Sequence, residues 1–229
     1  MIGVDILASF ELEINKLNNT LEKPLTDDSL YWINQAAVKF AKDRFNGNAP
    51  KRTSYEQNEK RTRDLIKLLR EQVYTDIPTI AEHASYDEYE FEYPSEMMFV
   101  LNEDVVISDT NDDHLMDTCV FECTADNFMY RINNSLTDFH YRYHRARPLR
   151  IREVNGCRLL TDKNYKIHEY TLGYLKKPSE ITLENPFNEY EDFEDIIMAE
   201  IIKIAAQMYL ENQKDERYKT ITAEVNTQE

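Results

Sequence analysis

Five arginines fall within His140-Tyr-Arg-Tyr-His-Arg-Ala-Arg-Pro-Leu-Arg-Ile-Arg152, and no acidic residue interrupts them. They are Arg142, Arg145, Arg147, Arg150 and Arg152. From Arg131 to Arg158 seven arginines face only Asp138 and Glu153. A guanidinium is a planar fork of donors that fits carboxylates and phosphates bidentately. Interleaved tyrosines can stack on bases, so one chemistry open to the stretch is contact with nucleic acid. The other is contact with carboxylates on a neighbouring protein, since arginine and tyrosine are also the residues of protein interfaces. The rest of the chain favours the second, because its formal net charge is -16. Tyr86-Asp-Glu-Tyr-Glu-Phe-Glu-Tyr93 alternates aromatic and acidic residues, as suits either an edge strand or a segment lying on a partner with Tyr89, Phe91 and Tyr93. A second basic island, Lys51-Arg52 with Lys60-Arg61-Thr-Arg63, strengthens the impression of a chain offering both charges to its neighbours.

Other chemistry is thinly supported. His114, Cys119 and Cys123 are close in sequence, and the two thiols would share a face of one strand. They lack the knuckle spacing and the second ligand pair of a zinc site, so small buried thiols are expected instead. Asp109, Asp112, Asp113, Asp117 and Glu122 crowd one segment but have neither the spacing nor the glycine of a calcium loop. Glycine occurs only at positions 3, 47, 156 and 173, so no clustered glycines can cradle a phosphate and no nucleophile elbow is present. No enzyme activity, metal or cofactor is expected. Three cysteines do not make a disulfide framework.

The elements that must position these residues read as helices, then strands, then a helix. Asp5 to Leu21 and Asp27 to Phe45 carry apolar residues at helical spacing, with Asp28 or Ser29 as a cap for the second. Ser54-Tyr-Glu-Gln57 has the form of a capping box opening a third helix to about Val73, with Leu65, Ile66, Leu69 and Val73 on its buried face. Runs at 97–101, 105–107, 119–121 and 165–175 favour strands, and Asn155-Gly156 marks a hairpin. Residues from about Phe193 to Leu210 return to helical spacing. The fold class expected is α+β: a helical bundle from both chain ends with a β-rich ribbon or sheet inserted between. Its parts are 1–80 for the N-terminal helices, 81–180 for the insertion, and 181–229 for the closing helix and tail. No run approaches the roughly 20 apolar residues of a membrane span, and the start has no signal-peptide pattern, so synthesis in a cytosol is expected.

Several strings together resemble a known family. Tyr31-Trp-Ile-Asn-Gln-Ala-Ala-Val-Lys-Phe40 is followed by Phe45-Asn-Gly-Asn-Ala-Pro-Lys-Arg-Thr-Ser-Tyr-Glu-Gln-Asn-Glu-Lys-Arg-Thr-Arg-Asp-Leu65. Further on come the Leu-Thr-Asp to Pro-Leu-Arg segment (Leu136 to Arg150), Tyr174-Leu-Lys-Lys-Pro178, Ile204-Ala-Ala-Gln-Met-Tyr-Leu-Glu211 and Arg217-Tyr218. The pattern resembles the head-to-tail connector, or ring, proteins of crAss-like bacteriophages. One departure stands at Thr182-Leu-Glu-Asn-Pro-Phe-Asn188, where related strings have a cysteine-proline segment. The resemblance implies a virion structural protein in a homo-oligomeric ring of about a dozen copies. That ring would join portal and tail in the neck, with genome DNA passing through it unbound. In such a ring Arg142, Arg145, Arg147, Arg150, Arg152, Tyr89, Phe91 and Tyr93 are the candidate subunit or partner contacts. The alternative is a nucleic-acid-binding protein reading through residues 140–152.

Overall fold

The computed structural model describes residues 1–15, 24–46, 59–75, 77–110, 115–143 and 145–213. In chain order its helices are α1 (Gly3–Asn15), α2 (Thr26–Asn46), α3 (Glu59–Asp64), α4 (Phe128–Asn133) and α5 (Asp195–Asn212). The strands are β1 (Leu69–Thr75), β2 (Ala81–Glu82), β3 (Asp87–Glu92), β4 (Met97–Asp109), β5 (Leu115–Cys119), β6 (Phe121–Cys123), β7 (Leu149–Arg152), β8 (Gly156–Thr161) and β9 (Tyr165–Lys176). The fold is α+β. One unit runs from Leu69 to Lys176, and the other is formed by the chain before and after it.

In the helical unit, spacings of three and four place one apolar stripe on each long helix. Ile6, Phe10 and Ile14 are buried on α1, and Ile33, Ala36, Ala37, Phe40 and Ala41 on α2. Helix α5 buries eight residues, from Ile197 to Leu210, and packs on both α1 and α2. Phe10 meets Tyr209 edge-on at 6.1 Å, and Phe40 meets Phe193 at 5.8 Å. Arg44, in the last turn of α2, ties the unit together: it reaches Asp64 at 3.0 Å and Glu200 at 2.8 Å, and lies over the Phe40 ring. Ser29 does not cap α2. It is buried one turn in, and its hydroxyl donates to the Leu25 carbonyl at 3.1 Å.

The third helix differs from its expected length. Helix α3 ends at Asp64, a 3-10 turn follows at Ile66–Leu68, and Leu69–Thr75 is a strand. The box at Ser54 to Gln57 lies outside the described residues. Leu65 is buried as expected, but Ile66 and Val73 are 53% and 43% exposed. The reason is pairing: Leu69 to Thr75 lies antiparallel to β9, from Leu69 opposite Leu175 to Thr75 opposite Glu169. A seven-residue ladder outweighs the small helix preference of a Leu-Arg-Glu-Gln run, and Val73-Tyr-Thr75 suits a pleated edge.

The β unit is a sandwich. One sheet has the order β1-β9-β4-β5 and the other β2-β3-β8-β7-β6. The chain passes between them at Val120, which separates β5 from β6. Cys119 and Cys123 therefore sit on strands of different sheets, one exposed and one buried, and do not share a strand face. Between the sheets lie Tyr89, Phe91, Val105, Ile107, Leu159, Tyr165, Ile167, Tyr170 and Leu172. Helix α4 and the segment after it cover the outer side of the second sheet through Ile132 and Phe139, against Leu149, Ile151 and Leu160.

The hairpin forms between β7 and β8 where Asn155-Gly156 signals it, with Glu153 N–H donating to the Gly156 carbonyl at 2.9 Å. Val154 and Asn155 occupy the tip, so Gly156 already lies in β8. Its need for glycine comes from β3: a Cβ there would stand 1.9 Å from the Phe91 carbonyl oxygen. Gly156→Ala is expected to push β3 from β8 and lower stability by at least about 2 kcal/mol in urea unfolding. An unchanged midpoint would show that the strands yield freely there.

Candidate functional site

The seven arginines between Arg131 and Arg158 divide into two groups. Arg131, Arg150 and Arg158 are used inside the β unit. Arg131 stacks over the Phe121 ring at 3.9 Å, and Arg158 pairs with Glu88 at 3.4 Å and also with Glu153. Arg150 is 4% exposed. Along β7, Leu149 and Ile151 face α4, so the alternation of a strand turns Arg150 toward the opposite sheet. There it pairs with Glu103 of β4, and it reaches Glu122 of β6 at 2.7 Å. It is not offered to a neighbour, because its own chain supplies the carboxylates.

Around that pair is a buried polar cluster. The Tyr170 hydroxyl donates to Glu103 at 2.7 Å and lies 3.6 Å from the Cys157 sulfur. The Tyr93 hydroxyl is buried beside Cys157 and Arg150. Burial raises Glu103 above the ordinary carboxylate range, while Tyr170 and Arg150 pull it back down. Burial pushes the Cys157 thiol up to about 11, so it is an inert core thiol rather than a nucleophile. Glu103 could have been identified from the sequence: it precedes Val105 and Ile107 at strand alternation, which aims all three inward.

Tyr89 and Phe91 also take core positions, at 1% and 3% exposure. Glu90 and Glu92, between and beside them, point outward, so the acidic-aromatic run is an edge strand with its aromatic side inside. Tyr93 is half-buried. Among the sequence-selected contacts, Arg142, Arg145, Arg147 and Arg152 are exposed. Among the described residues, the side chains of Arg145, Arg147 and Arg152 have no ion-pair partner.

Arg142, Arg145 and Arg147 stand on one braced loop. Phe139 and Ala146 anchor it in the interior, and Arg147 N–H donates to the Asp138 carbonyl at 2.8 Å. Arg142 and Arg145 exchange backbone bonds at 3.0 and 2.9 Å. Asp162 accepts Tyr141 N–H at 3.1 Å and stands 3.5 Å from His140. The loop and β5 enclose a cleft of about 540 Å³ lined by all three arginines, His140, Asp117 and Leu136. Tyr143 is 94% exposed and holds φ at 50°, a left-handed backbone that bulky residues rarely adopt. Tyr130 and Leu136, at 73% and 83% exposure, add apolar surface that the sequence did not single out. His144 and the acids at 112 and 113 lie outside the described residues, as does His114.

Residues 13–191, most of the chain and all of the β sandwich, match the family described as phage tail ring protein 3/4. No curated protein matches the chain.

Removing Arg150 strands a buried carboxylate. Arg150→Ala is expected to cost about 3–5 kcal/mol at neutral pH, whereas Arg150→Met with Glu103→Leu should be far milder. Glu103 has a raised value when folded, so its carboxyl favours the fold below the ordinary range and that contribution is lost as pH rises through the raised value. The Arg150→Ala deficit should therefore shrink from about pH 8 to about pH 5. A deficit that is flat with pH, measured by urea titration, would contradict this assignment.

Proposed function

Because the chain belongs to the phage tail ring protein 3/4 family of crAss-like phages, it is a structural protein of the virion that assembles in a ring within the tail, and we propose that this ring is a neck connector between portal and tail. About a dozen copies would surround a channel through which the genome passes without specific binding. The helical unit would form the ring body, and the β sandwich would reach a neighbouring copy or the next ring. Among the described residues no helix is long and apolar enough to cross a membrane.

The observation that carries this reading is where three of the four exposed arginines of this stretch are. On a chain of net charge -16, Arg142, Arg145 and Arg147 are gathered on one braced loop. Arginine, tyrosine and leucine exposed together on a rigid support are the makings of a protein contact. The acidic remainder suits a channel wall along which DNA slides without sticking. With Arg131, Arg150 and Arg158 committed internally, the stretch also has fewer free cations to offer to phosphates than the sequence suggested.

Arg145→Glu with Arg147→Glu separates the two uses of the loop. The double variant is expected to remain folded and to lose ring particles, counted by mass photometry with the purified portal protein. Its DNA affinity, measured across a salt series, should match the weak parental value. Parental binding that falls steeply with salt and vanishes in the variant would favour the nucleic-acid reading instead.

A further inference from the structure

From the placement of charge on the sandwich, we infer that adjacent copies join edge to edge, the arginine loop of one on the acidic β3 edge of the next. This rests on the ring assembly that the family establishes and names the two surfaces that meet. The two edges are distinguishable by topology. Strands β5 and β6 are consecutive and form one end of their respective sheets. The arginine cleft borders β5 through Met116, Asp117 and Thr118. At the other end, Tyr74 of β1 packs on Phe91 of β3, and its hydroxyl donates to the Glu92 carbonyl at 2.5 Å. There, among the described residues, β3 is paired by another strand on that side only at Asp87 and Glu88, by the two residues of β2. Beyond them Glu90 and Glu92 are exposed, and their carboxylates have no ion-pair partner among the described residues. Beside them a second cleft, of about 510 Å³, is bordered by Arg152, Glu153 and the fully exposed Val154.

A ring needs a heterologous contact, in which one surface meets a different surface on the next copy. Opposite edges of one rigid sandwich, one basic and one acidic, satisfy that requirement in a way a single patch cannot. Both also carry protruding apolar groups, Tyr143 and Leu136 on the first and Val154 on the second. The left-handed backbone at Tyr143 holds that ring away from its own domain, where a neighbour can bury it. The competing explanation of the acidic edge is protection: glutamates on an open strand prevent edge-to-edge aggregation. That explanation needs no arginine counterpart, so the two are separable.

The test replaces Tyr143 with the photo-crosslinking residue p-benzoylphenylalanine in the full chain, irradiates assembled rings, and maps the joined peptides. The expected product is a covalent dimer in which position 143 is joined to the segment around Tyr89–Tyr93 or to the hairpin tip. Dimers joined elsewhere would overturn the edge-to-edge contact and leave the ring reading standing. Crosslinks only to other tail proteins, without dimers, would overturn the self-contact at this loop. A parental chain that forms no ring, even with its tail partners, would overturn the ring reading itself. Charge reversal adds a check independent of the probe. Arg145→Glu/Arg147→Glu and Glu90→Lys/Glu92→Lys should each weaken assembly alone by at least about tenfold. An equimolar mixture of the two should assemble, because each then presents the charge that the other lacks. Rings that tolerate the Glu90/Glu92 reversal would leave protection as the role of that edge.

Discussion

Arg150 sits between the two sheets with carboxylates on both sides of it, and the sandwich depends on that arrangement. Glu103 comes from the facing sheet and Glu122 from the adjacent strand of its own. A guanidinium can serve both because its fork spreads donors in a plane and never loses its charge. The gain in stability over a purely apolar filling is small, since both ions had to leave water. What the pair restricts is alternatives: slipping β7 by one residue would turn Arg150 outward and Leu149 and Ile151 into a polar site. Tyr170 donates to Glu103 and keeps it from being stranded, and the Cys157 thiol lies beside the same hydroxyl. The helical unit repeats the device with Arg44 between Asp64 and Glu200. In each unit one arginine joins elements distant in sequence.

Committing Arg150 to the interior gives the neighbouring loop its character. The strand that carries Arg150 inward starts directly after Arg145, Arg147 and the buried Pro148, so the loop's exit is anchored at its base. Phe139, Ala146 and Asp162 hold the remainder. Long arginine side chains on such a support lose less freedom on binding than they would on a loose segment. The support also gives the cluster a direction. It lies at the β5 end of the sandwich, while the glutamates of β3 lie at the other, so the two ends of one sandwich differ in charge. Such asymmetry is what a closed ring uses, and it is unsuited to an isologous dimer.

Much of the helical unit was legible in the sequence. The stripes of α1, α2 and α5 are local facts, because positions three and four apart share a helix face whatever else surrounds them. Strands β4, β8 and β9 and the hairpin at 153–156 were legible for the corresponding reason of alternation and turn chemistry, whereas β3 was open between an edge strand and a partner-binding segment. The segment from Leu69 to Thr75 was not, since its strand character comes from β9, about a hundred residues away in sequence. Cys119 and Cys123 misled in the same way: nothing local announces that the chain changes sheets at Val120.

The site shows the same division. From the sequence alone came the α+β class, the concentration of arginine against an acidic background, and the alternation of aromatic with acid in 86–93. Only the tertiary structure decided which of those residues face out. Tyr89, Phe91 and Arg150 went inside, and Arg142, Arg145, Arg147 and Arg152 remained at the surface. The physical reason is that a charged or aromatic side chain has no intrinsic preference for its own chain over another. It goes wherever a partner of the right chemistry is already held in place. For Arg150 that partner is Glu103, forty-seven residues away in sequence and brought opposite only by the stacking of two sheets.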